Sequence, residues 1–361
     1  MLTHASLKAL FTIALCSASA LSFAALQMET IAEGLDTPWS VAELPDGGFL
    51  VTERPGGIKH VAPSGEMTEV TGVPQVFAKR QGGLFDVVLH PKFADNNTVF
   101  LAYASGSEDS NRTTVARGVL EGSALTDVNV IFEVTPTKRG GGHFGGRMAF
   151  LTDGTMLLSV GEGYTLREDA QKTDSQLGKL LRMTENGEAP ADNPFADALY
   201  VYSYGHRNPQ GLIVDAATQS VWMTEHGPKG GDELNRIEAG KNYGWPAITY
   251  GVDYSGAIIS PFTEAPGMEQ PVTYWVPSIA TSGLALYTSS AIPSLTGKLL
   301  VGGLKAKKVV AVDVSGDKPV LTEPFPELEA RVRDVRALSD GSVAVIDEAG
   351  GKVIRVSQGA G

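Results

Sequence analysis

The chain has 361 residues, of which 42% are hydrophobic and 19% are charged. These are values of a globular protein that can bury a sizeable core. The formal net charge of −12 argues against nucleic acid or an anionic membrane as a partner, because both repel an acidic surface. No linker or low-complexity stretch divides the chain, so we expect one domain over residues 25–361.

Residues 1–24 have the pattern of a secretory signal peptide. Lys8 precedes an apolar run over residues 9–15 that is too short to span a bilayer, and Ser22 to Ala24 offer a cleavage site between small residues. A buried N-terminal helix is the alternative. Cleavage would remove Cys16, the only cysteine, so the mature chain could form no disulfide or thiolate site. We therefore expect a periplasmic protein without a membrane span.

After this leader, one pattern recurs: a turn, a short apolar strand and a second turn. The copies begin near residues 42, 89, 149, 214, 294 and 337. Three of them carry an Asp-Gly turn followed by alternating or β-branched residues. Because one small sheet cannot bury both faces alone, six such units predict an all-β fold, a six-bladed β-propeller of four-stranded antiparallel blades. A pair of β-sandwiches is the structural alternative.

Residues 202–246 combine polar side chains with many backbone breakers, in the segments YSYGHRNPQGL and TEHGPKGGDELNRIEAGKNYGWP. A core strand would not tolerate so many glycines and prolines. Loops with this many specified polar residues usually hold a ligand. A pair of well-capped turns is the simpler interpretation.

His143 lies in the loop KRGGGHFGGR, where glycines on both sides leave room for a ligand. A histidine in such a loop is a suitable general base, since its pKa is near the working pH. Gly140, Gly142 and Gly145 also satisfy G-x-G-x-x-G, but a strand rather than a helix is predicted to follow. We therefore reject nicotinamide-dinucleotide binding.

Basic residues recur late in the chain, at Lys305, Arg331 and Arg333. Arg331 and Arg333 alternate along a predicted strand, so their side chains should face the same way. Together with Arg207 they could bind several carboxylates; solvated surface charges are the alternative. The segment from Gly231 to Asn235 offers hard oxygen ligands that suit calcium.

The chain resembles a known family, the soluble PQQ-dependent glucose and aldose sugar dehydrogenases, and most of all the aldose branch of that family. The segments that carry the resemblance are QGGLFDVVLHPKF, GGHFGGR, GHRNPQGL, EHGPKGGDELN, KNYGWP, GGLK and RVRDV. They occur in order along nearly all of the mature chain. The resemblance implies a six-bladed propeller that oxidises the anomeric carbon of aldoses to lactones and passes the electrons to an acceptor other than NAD or oxygen.

The resemblance also implies roles for individual residues. His143 would be the base and Arg207 its electrostatic partner. The PQQ-binding residues would be Gln81, Arg207, Asn208, His226, Asp232, Tyr254, Lys305, Arg331 and Arg333. The carbonyls of Gly227 and Pro228 would hold an active-site Ca²⁺, and Glu233 with the carbonyl of Tyr243 would hold a second, structural Ca²⁺.

Two departures from the glucose-oxidising members concern specificity. Those members have Gln in place of His226 and Asp in place of Gly142, and their substrate-side and dimer-forming loops are longer. We therefore expect broad aldose use and a monomer rather than a dimer. Two alternatives remain open: a calcium-dependent sugar lactonase, which should show a ring of carboxylate ligands in the channel, and a non-catalytic propeller that binds a partner or glycan.

Overall fold

The structure, a computed structural model, describes residues 25–359. The predicted signal peptide, including Cys16, lies outside these residues. Within them, 24 strands form six four-stranded antiparallel sheets. The predicted six-bladed propeller is therefore confirmed, and the alternative of two β-sandwiches is wrong.

Five blades follow the simple order in which each strand pairs with the next along the chain. The first two blades comprise β2 (Pro38–Glu43), β3 (Phe49–Glu53), β4 (Ile58–Val61) and β5 (Met67–Glu69), then β6 (Leu84–Leu89), β7 (Thr98–Gly106), β8 (Asn111–Glu121) and β9 (Ala124–Glu133). The third and fourth comprise β10 (Met148–Phe150), β11 (Met156–Val160), β12 (Lys179–Met183) and β13 (Val201–Tyr204), then β14 (Pro209–Val214), β15 (Val221–Glu225), β16 (Asp232–Ile237) and β17 (Thr273–Trp275). The fifth comprises β18 (Thr281–Tyr287), β19 (Lys298–Gly303), β20 (Lys308–Asp313) and β21 (Val320–Thr322).

The sixth blade closes the ring with strands from both ends of the described chain. Its strands are β22 (Val332–Ala337), β23 (Val343–Asp347), β24 (Lys352–Gln358) and β1 (Leu26–Glu33). β1 pairs antiparallel with β24, so that Leu26 lies opposite Gln358. This pairing joins the two ends of the described chain in one sheet and so closes the ring.

Helical structure in the described part is limited to three short segments. These are an α-helix at Phe93–Asn96 and 3₁₀-helices at Arg167–Gln171 and Pro293–Leu295. Among residues 25–359, no helix is long and apolar enough to cross a membrane.

The core consists of six hydrophobic clusters, each between two neighbouring blades. Phe100 of the second blade and Met156 of the third belong to one cluster, for example, and Val41 of the first blade and Ala344 of the sixth belong to another. Each blade thus buries both faces against its neighbours, as the repeat pattern predicts. The ring leaves a central channel lined by the first strand of each blade.

Where these first strands begin, at the end of the channel that we call the upper mouth, five blades have a register irregularity. The shifts occur after Pro38, Leu84, Pro209, Thr281 and Val332. A bulge re-aims the extra side chain and is frequent next to binding sites. Trp39, Phe85, Gln210 and Arg333 fall in four of these irregularities, and all four line the cavity described next.

Candidate active site

A cavity of about 280 Å³ lies at the upper mouth, near the lower end of the range of ~300–1,000 Å³ that is usual for ligand pockets. Its floor is aromatic, from Trp39, Phe85 and Phe144. Five guanidinium groups and one carboxylate also line it: Arg54, Arg80, Arg207, Arg331, Arg333 and Glu348. The cavity therefore has a strong excess of positive charge.

The sequence-predicted residues that this cavity brings together are Gln81, His143, Arg207, Asn208, His226, Tyr254, Arg331 and Arg333. Two of the predicted PQQ-binding residues do not line it. Lys305 follows β19 with an exposed side chain, whereas Asp232 is fully buried.

His143 is held by contacts on both its backbone and its ring. Its amide donates to Gln81 Oε1 at 2.8 Å, and its Nδ1 lies 2.9 Å from Glu162 Oε1. The φ angle of His143 is +48°, a region that costs free energy for a residue with a side chain and often marks functional loops. The ring Nε2 has no hydrogen-bond partner among residues 25–359 and is the nitrogen left for a substrate.

The pKa of His143 is lowered, first by burial and then by the charges of Arg207 and Lys138, although Glu162 opposes the shift. The imidazole is therefore neutral at neutral pH. Lys138 is the first residue of the same loop, and its Nζ donates to Asn111 Oδ1 at 2.9 Å and is 3.5 Å from the centre of the Phe144 ring. Burial lowers the pKa of Lys138 to about 7.

Arg207 connects the cavity to the loop after β15. Its Nη1 donates to the carbonyl of Gly227 at 2.6 Å and to that of His226 at 3.1 Å. Its guanidinium lies 5.3 Å from the Trp245 ring and 6.0 Å from the Tyr254 ring, within the range of cation–π attraction.

Arg331 and Arg333 do face the same way, as predicted, and Glu348 lies between them. Arg331 Nε is 2.5 Å from Glu348 Oε2, and Arg333 Nη2 is 2.7 Å from Oε1. Burial opposes ionisation of Glu348, but the two facing charges outweigh burial and lower its pKa. The chain thus offsets part of this positive charge itself, although one carboxylate cannot balance five guanidiniums.

His226 and Asn208 complete the wall of the cavity. Burial and the nearby Arg207 and Arg333 lower the pKa of His226 well below its usual value, so it is neutral. Asn208 Oδ1 accepts from the Gly145 amide at 3.3 Å, which ties the wall to the loop of His143.

The loop between β15 and β16 is shaped by Asp232. Its carboxylate accepts from the Gly227 amide at 3.0 Å and from the Ala280 amide at 2.6 Å. The carbonyl of Pro228 accepts from Ser278 Oγ at 3.5 Å. Asp232 therefore fixes the backbone that carries the carbonyls of Gly227 and Pro228, and makes no contact with the cavity.

A second, much smaller cavity lies beside this loop, where Glu233, Glu225 and Tyr243 are among the lining residues. Burial raises the pKa of Glu233, and the charge of Glu225 raises it further. Asn235 donates to Glu233 Oε2 at 3.1 Å and to Glu225 Oε1 at 3.2 Å, while its own Oδ1 is buried without a hydrogen-bond partner. Two buried carboxylates that face the same asparagine cannot both stay ionised at little cost, so either one takes up a proton or a cation neutralises the pair.

His206, which the sequence placed among the polar residues of the ligand loops, is structural. It is fully buried, with Nδ1 3.0 Å from Glu225 Oε1 and Nε2 2.8 Å from Ser203 Oγ. Its ring stacks on Tyr243 at 4.9 Å. Because both nitrogens are occupied, none is left for a ligand.

Sequence reasoning missed four charged residues of the site: Arg54, Arg80, Glu162 and Glu348. Glu162 carried a usable signal, because it lies between Gly161 and Gly163 much as His143 lies among glycines. The other three lie in ordinary turn or strand-end segments with no such pattern. Only the folded ring brings them to the upper mouth.

Comparison with known proteins agrees with this geometry. Residues 35–355 match the model of the glucose/sorbosone dehydrogenase family. The chain is 41% identical over 360 residues to aldose sugar dehydrogenase YliI of Escherichia coli, covering 95% of this chain and 96% of that protein. It is 43% identical over 350 residues to the uncharacterized protein slr1608 of Synechocystis, covering 90% of this chain and 85% of that protein.

Solved structures show the same relationship. The apo-form of the soluble aldose sugar dehydrogenase of E. coli superposes with a TM-score of 0.88 at 39% identity, covering 93% of this chain and all of that one. The PQQ-bound aldose sugar dehydrogenase of Streptomyces coelicolor gives 0.77 at 29% identity, covering 92% and 98%. The chain belongs to the glucose/sorbosone dehydrogenase family.

Proposed function

We propose that this chain oxidises the anomeric carbon of aldose sugars to the lactone, with PQQ bound in the cationic cavity and the electrons passed on to an acceptor other than NAD or oxygen. The observation that carries the proposal is the pairing of that cavity with His143. Its imidazole is neutral, oriented by Glu162, and has one nitrogen free.

The cavity suits PQQ because this cofactor carries three carboxylates. Arg331 and Arg333 lie on one wall, with Arg54 and Arg80 also in the lining, and guanidinium groups bind carboxylates through paired hydrogen bonds. The aromatic floor suits a planar ring system. When bound, PQQ supplies the quinone that accepts the hydride. Lys305 stays a prediction as a ligand, since its exposed side chain would have to turn towards the cavity.

His143 would accept the proton of the anomeric hydroxyl as hydride leaves the adjoining carbon. The negative charge of Glu162 stabilises the imidazolium that forms, and fixes Nδ1 so that Nε2 faces the substrate. Arg207 would stabilise negative charge on the reacting oxygen. General base catalysis of this kind typically contributes about 10²–10⁴-fold in rate.

Calcium is proposed at two places. The carbonyls of Gly227 and Pro228 are hard oxygen donors on a loop fixed by Asp232. Gly227 O already accepts from Arg207, but a carbonyl has two lone pairs and can still bind a cation. The second place is the small cavity beside Glu233 and Tyr243, where Ca²⁺ would relieve the repulsion between Glu233 and Glu225.

We further propose a periplasmic location and a monomeric state. The location rests on the sequence pattern of residues 1–24. The proposal of a monomer rests on loop length, because the dimer-forming loops expected of glucose-oxidising family members are shorter in this chain.

Particular residues argue against the two alternative functions. A calcium-dependent lactonase needs free carboxylates at the centre of the channel. Here Asp86 and Asp334 are both paired with arginines. A non-catalytic binding propeller gives no reason for a histidine–glutamate pair beside a cationic cavity.

Reconstitution tests the proposal directly. The mature protein would be mixed with PQQ and Ca²⁺, and reduction of an artificial electron acceptor followed with glucose, galactose, xylose and maltose. We expect turnover that needs PQQ and varies little among these aldoses. Absence of turnover, together with no PQQ-dependent change in melting temperature, would contradict the proposal and favour a binding protein.

A further inference from the structure

An exposed apolar patch lies on the fourth blade, outside the cavities described above. Among residues 25–359, thirteen large apolar side chains are exposed, and six of them fall within residues 252–276. These six, which we call the blade-four patch, are Val252, Tyr254, Ile258, Phe262, Tyr274 and Val276. Single exposed apolar residues are ordinary, whereas such a concentration marks an interaction site.

Half of the patch is carried by a segment that folds back on itself. In residues 247–262, the Thr249 amide donates to the Phe262 carbonyl at 3.1 Å. Tyr254 and Ile258 therefore lie near the far end of this excursion. Tyr254 also lines the cationic cavity, so the patch begins at the edge of the upper mouth.

The other half of the patch lies around the turn between β15 and β16. Val252 exchanges backbone hydrogen bonds with Lys229 of that turn, at 2.9 and 3.2 Å, and Val276 lies beside the same turn. The Tyr274 ring stacks on Tyr250, with centroids 3.8 Å apart and planes 10° from parallel. These contacts hold the apolar side chains on a preformed surface.

The charges within the patch do not dominate it. Asp253 pairs with Arg167 at 3.5 Å, and Glu269 pairs with Lys241 at 3.0 Å. The whole chain nevertheless has a net charge of −12. A basic partner would be attracted over long range by this charge and then held by apolar contact at the patch.

The proposed oxidation needs an acceptor that approaches the upper mouth from outside. The chain has no cysteine after Cys16, so the mature protein can hold neither an iron–sulfur cluster nor a covalently attached haem that would relay electrons elsewhere. A small acceptor needs no surface beyond the cavity. A protein acceptor does, and the exposed porphyrin edge of a haem protein is itself apolar.

We propose that the blade-four patch is the docking surface for a basic haem protein that accepts the electrons of aldose oxidation. The inference rests on the proposed function and adds its acceptor. Oxidation of one aldose to the lactone releases two electrons and two protons. Each ferric haem takes one electron and the protons pass to solvent, so two acceptor molecules dock in turn. Docking of this kind is weak and short-lived, as in redox complexes that bury less than about 1,200 Å².

Binding to the mature protein without PQQ tests the patch independently of turnover. Ferric cytochrome c, a basic haem protein, would be passed over the immobilised protein in surface plasmon resonance. The variant is Ile258→Ser/Phe262→Ser, because these side chains are 74% and 61% exposed and their loss should leave the melting temperature unchanged. We expect the affinity for cytochrome c to fall about tenfold.

The matched control is Val320→Ser/Leu321→Ser, on β21 of the fifth blade. These two side chains are also apolar and exposed, at 60% and 40%, but they lie outside the patch. Their replacement should leave cytochrome binding unchanged. No binding to the wild type, equal binding by the patch variant and the wild type, or an equal loss in both variants would overturn the inference.

Two other occupants of the patch are separated by further measurements on the same variants. Sedimentation velocity reports self-association, and flotation with phosphatidylcholine vesicles reports membrane binding. We expect neither for the wild type at the concentrations used for cytochrome binding. Self-association or vesicle binding that only the patch variant loses, with cytochrome binding intact, would assign the patch to that occupant and overturn the inference.

The reconstituted enzyme distinguishes failure of the docking surface from failure of the proposed function. With PQQ and glucose saturating, the patch variant should raise KM for cytochrome c about tenfold and leave kcat with the small acceptor phenazine methosulfate unchanged. Turnover with the dye but equal KM for cytochrome c in both proteins would contradict the docking surface alone. Cytochrome binding that needs the patch, without turnover on either acceptor, would support the surface and contradict the dehydrogenase.

Discussion

Two sets of arginines in the same channel differ in how they are paired. In the middle of the channel, Arg147 and Arg336 contact Asp86 and Asp334 at 2.9–3.3 Å, two charges of each sign. At the upper mouth, five arginines line the cavity with one carboxylate, Glu348, which pairs with only two of them, Arg331 and Arg333. The first set is balanced in charge within the chain and joins the second, third and sixth blades. The second set is incomplete and indicates an anionic ligand.

The buried histidines differ in the same way. His206 uses both ring nitrogens within the protein, whereas His143 uses only Nδ1. Both histidines pair with a glutamate, so that contact does not distinguish a structural histidine from a catalytic one. A free ring nitrogen beside a cavity does distinguish them.

The largest expected effect follows from removing the free nitrogen. His143→Ala should lower kcat by about 10²–10⁴-fold, while PQQ binding and the melting temperature change little. Stopped-flow and steady-state kinetics in the presence of saturating PQQ measure it. His206→Asn is the contrasting variant, because it should lower stability by about 1–3 kcal/mol through the partners it leaves unpaired.

Substitutions of the arginines in the middle of the channel should lower the stability of the fold rather than weaken ligand binding. Arg147→Met leaves Asp86 and Asp334 short of a partner in a buried site and should reduce the free energy of unfolding by about 3–5 kcal/mol. Urea denaturation measures this loss. Arg333→Met should cost less in stability, since Arg331 still pairs with Glu348. Equal losses of unfolding free energy in the two variants would contradict the distinction between the channel arginines and those at the upper mouth.

A smaller effect concerns calcium at Glu233. Ca²⁺ at 100 times its Kd should stabilise the wild-type protein by about 2.7 kcal/mol, because an ion that binds only the folded state shifts the unfolding equilibrium by mass action. Glu233→Gln should abolish this response. Thermal unfolding with Ca²⁺ and with a chelator tests the prediction, and a calcium response that survives the substitution would place the ion elsewhere.

The smallest effect is on the pH dependence of the rate. His143 must be neutral to act as a base, so activity is present above its pKa and lost as the pH falls through it. Since burial, Arg207 and Lys138 lower that pKa, the acid limb of the kcat profile should lie below about pH 6.5, the usual histidine value.

Lys138→Met should move this acid limb to higher pH, because it removes a positive charge that opposes protonation of His143. Lys179→Met is the matched control: Lys179 is also buried, its pKa is also lowered by burial to about 7, and its Nζ donates to the carbonyls of Asp169, Ala170 and Leu177 rather than to the loop of His143. An acid limb that stays in place for Lys138→Met would contradict this role.

Much of this arrangement could be predicted from the sequence. The turn–strand–turn repeat predicted the six blades, because strand periodicity and turn residues are local properties. The glycine-flanked His143 and the paired Arg331 and Arg333 were also identified from local patterns. Glu348 could not be, because its importance comes from a contact between neighbouring strand ends of one blade.

The closure of the ring by β1 was also missed. It depends on pairing across the whole length of the chain, which no short pattern records.

We expect the arginines at the upper mouth, whose charge one carboxylate cannot balance, to be held for PQQ. Calorimetric titration of PQQ into the wild-type protein and into the double variant Arg331→Met/Arg333→Met tests it most directly, at two salt concentrations. We predict tight, salt-dependent binding to the wild type, and a Kd at least about tenfold weaker in the double variant with the fold retained. Equal affinity for both proteins would contradict the account.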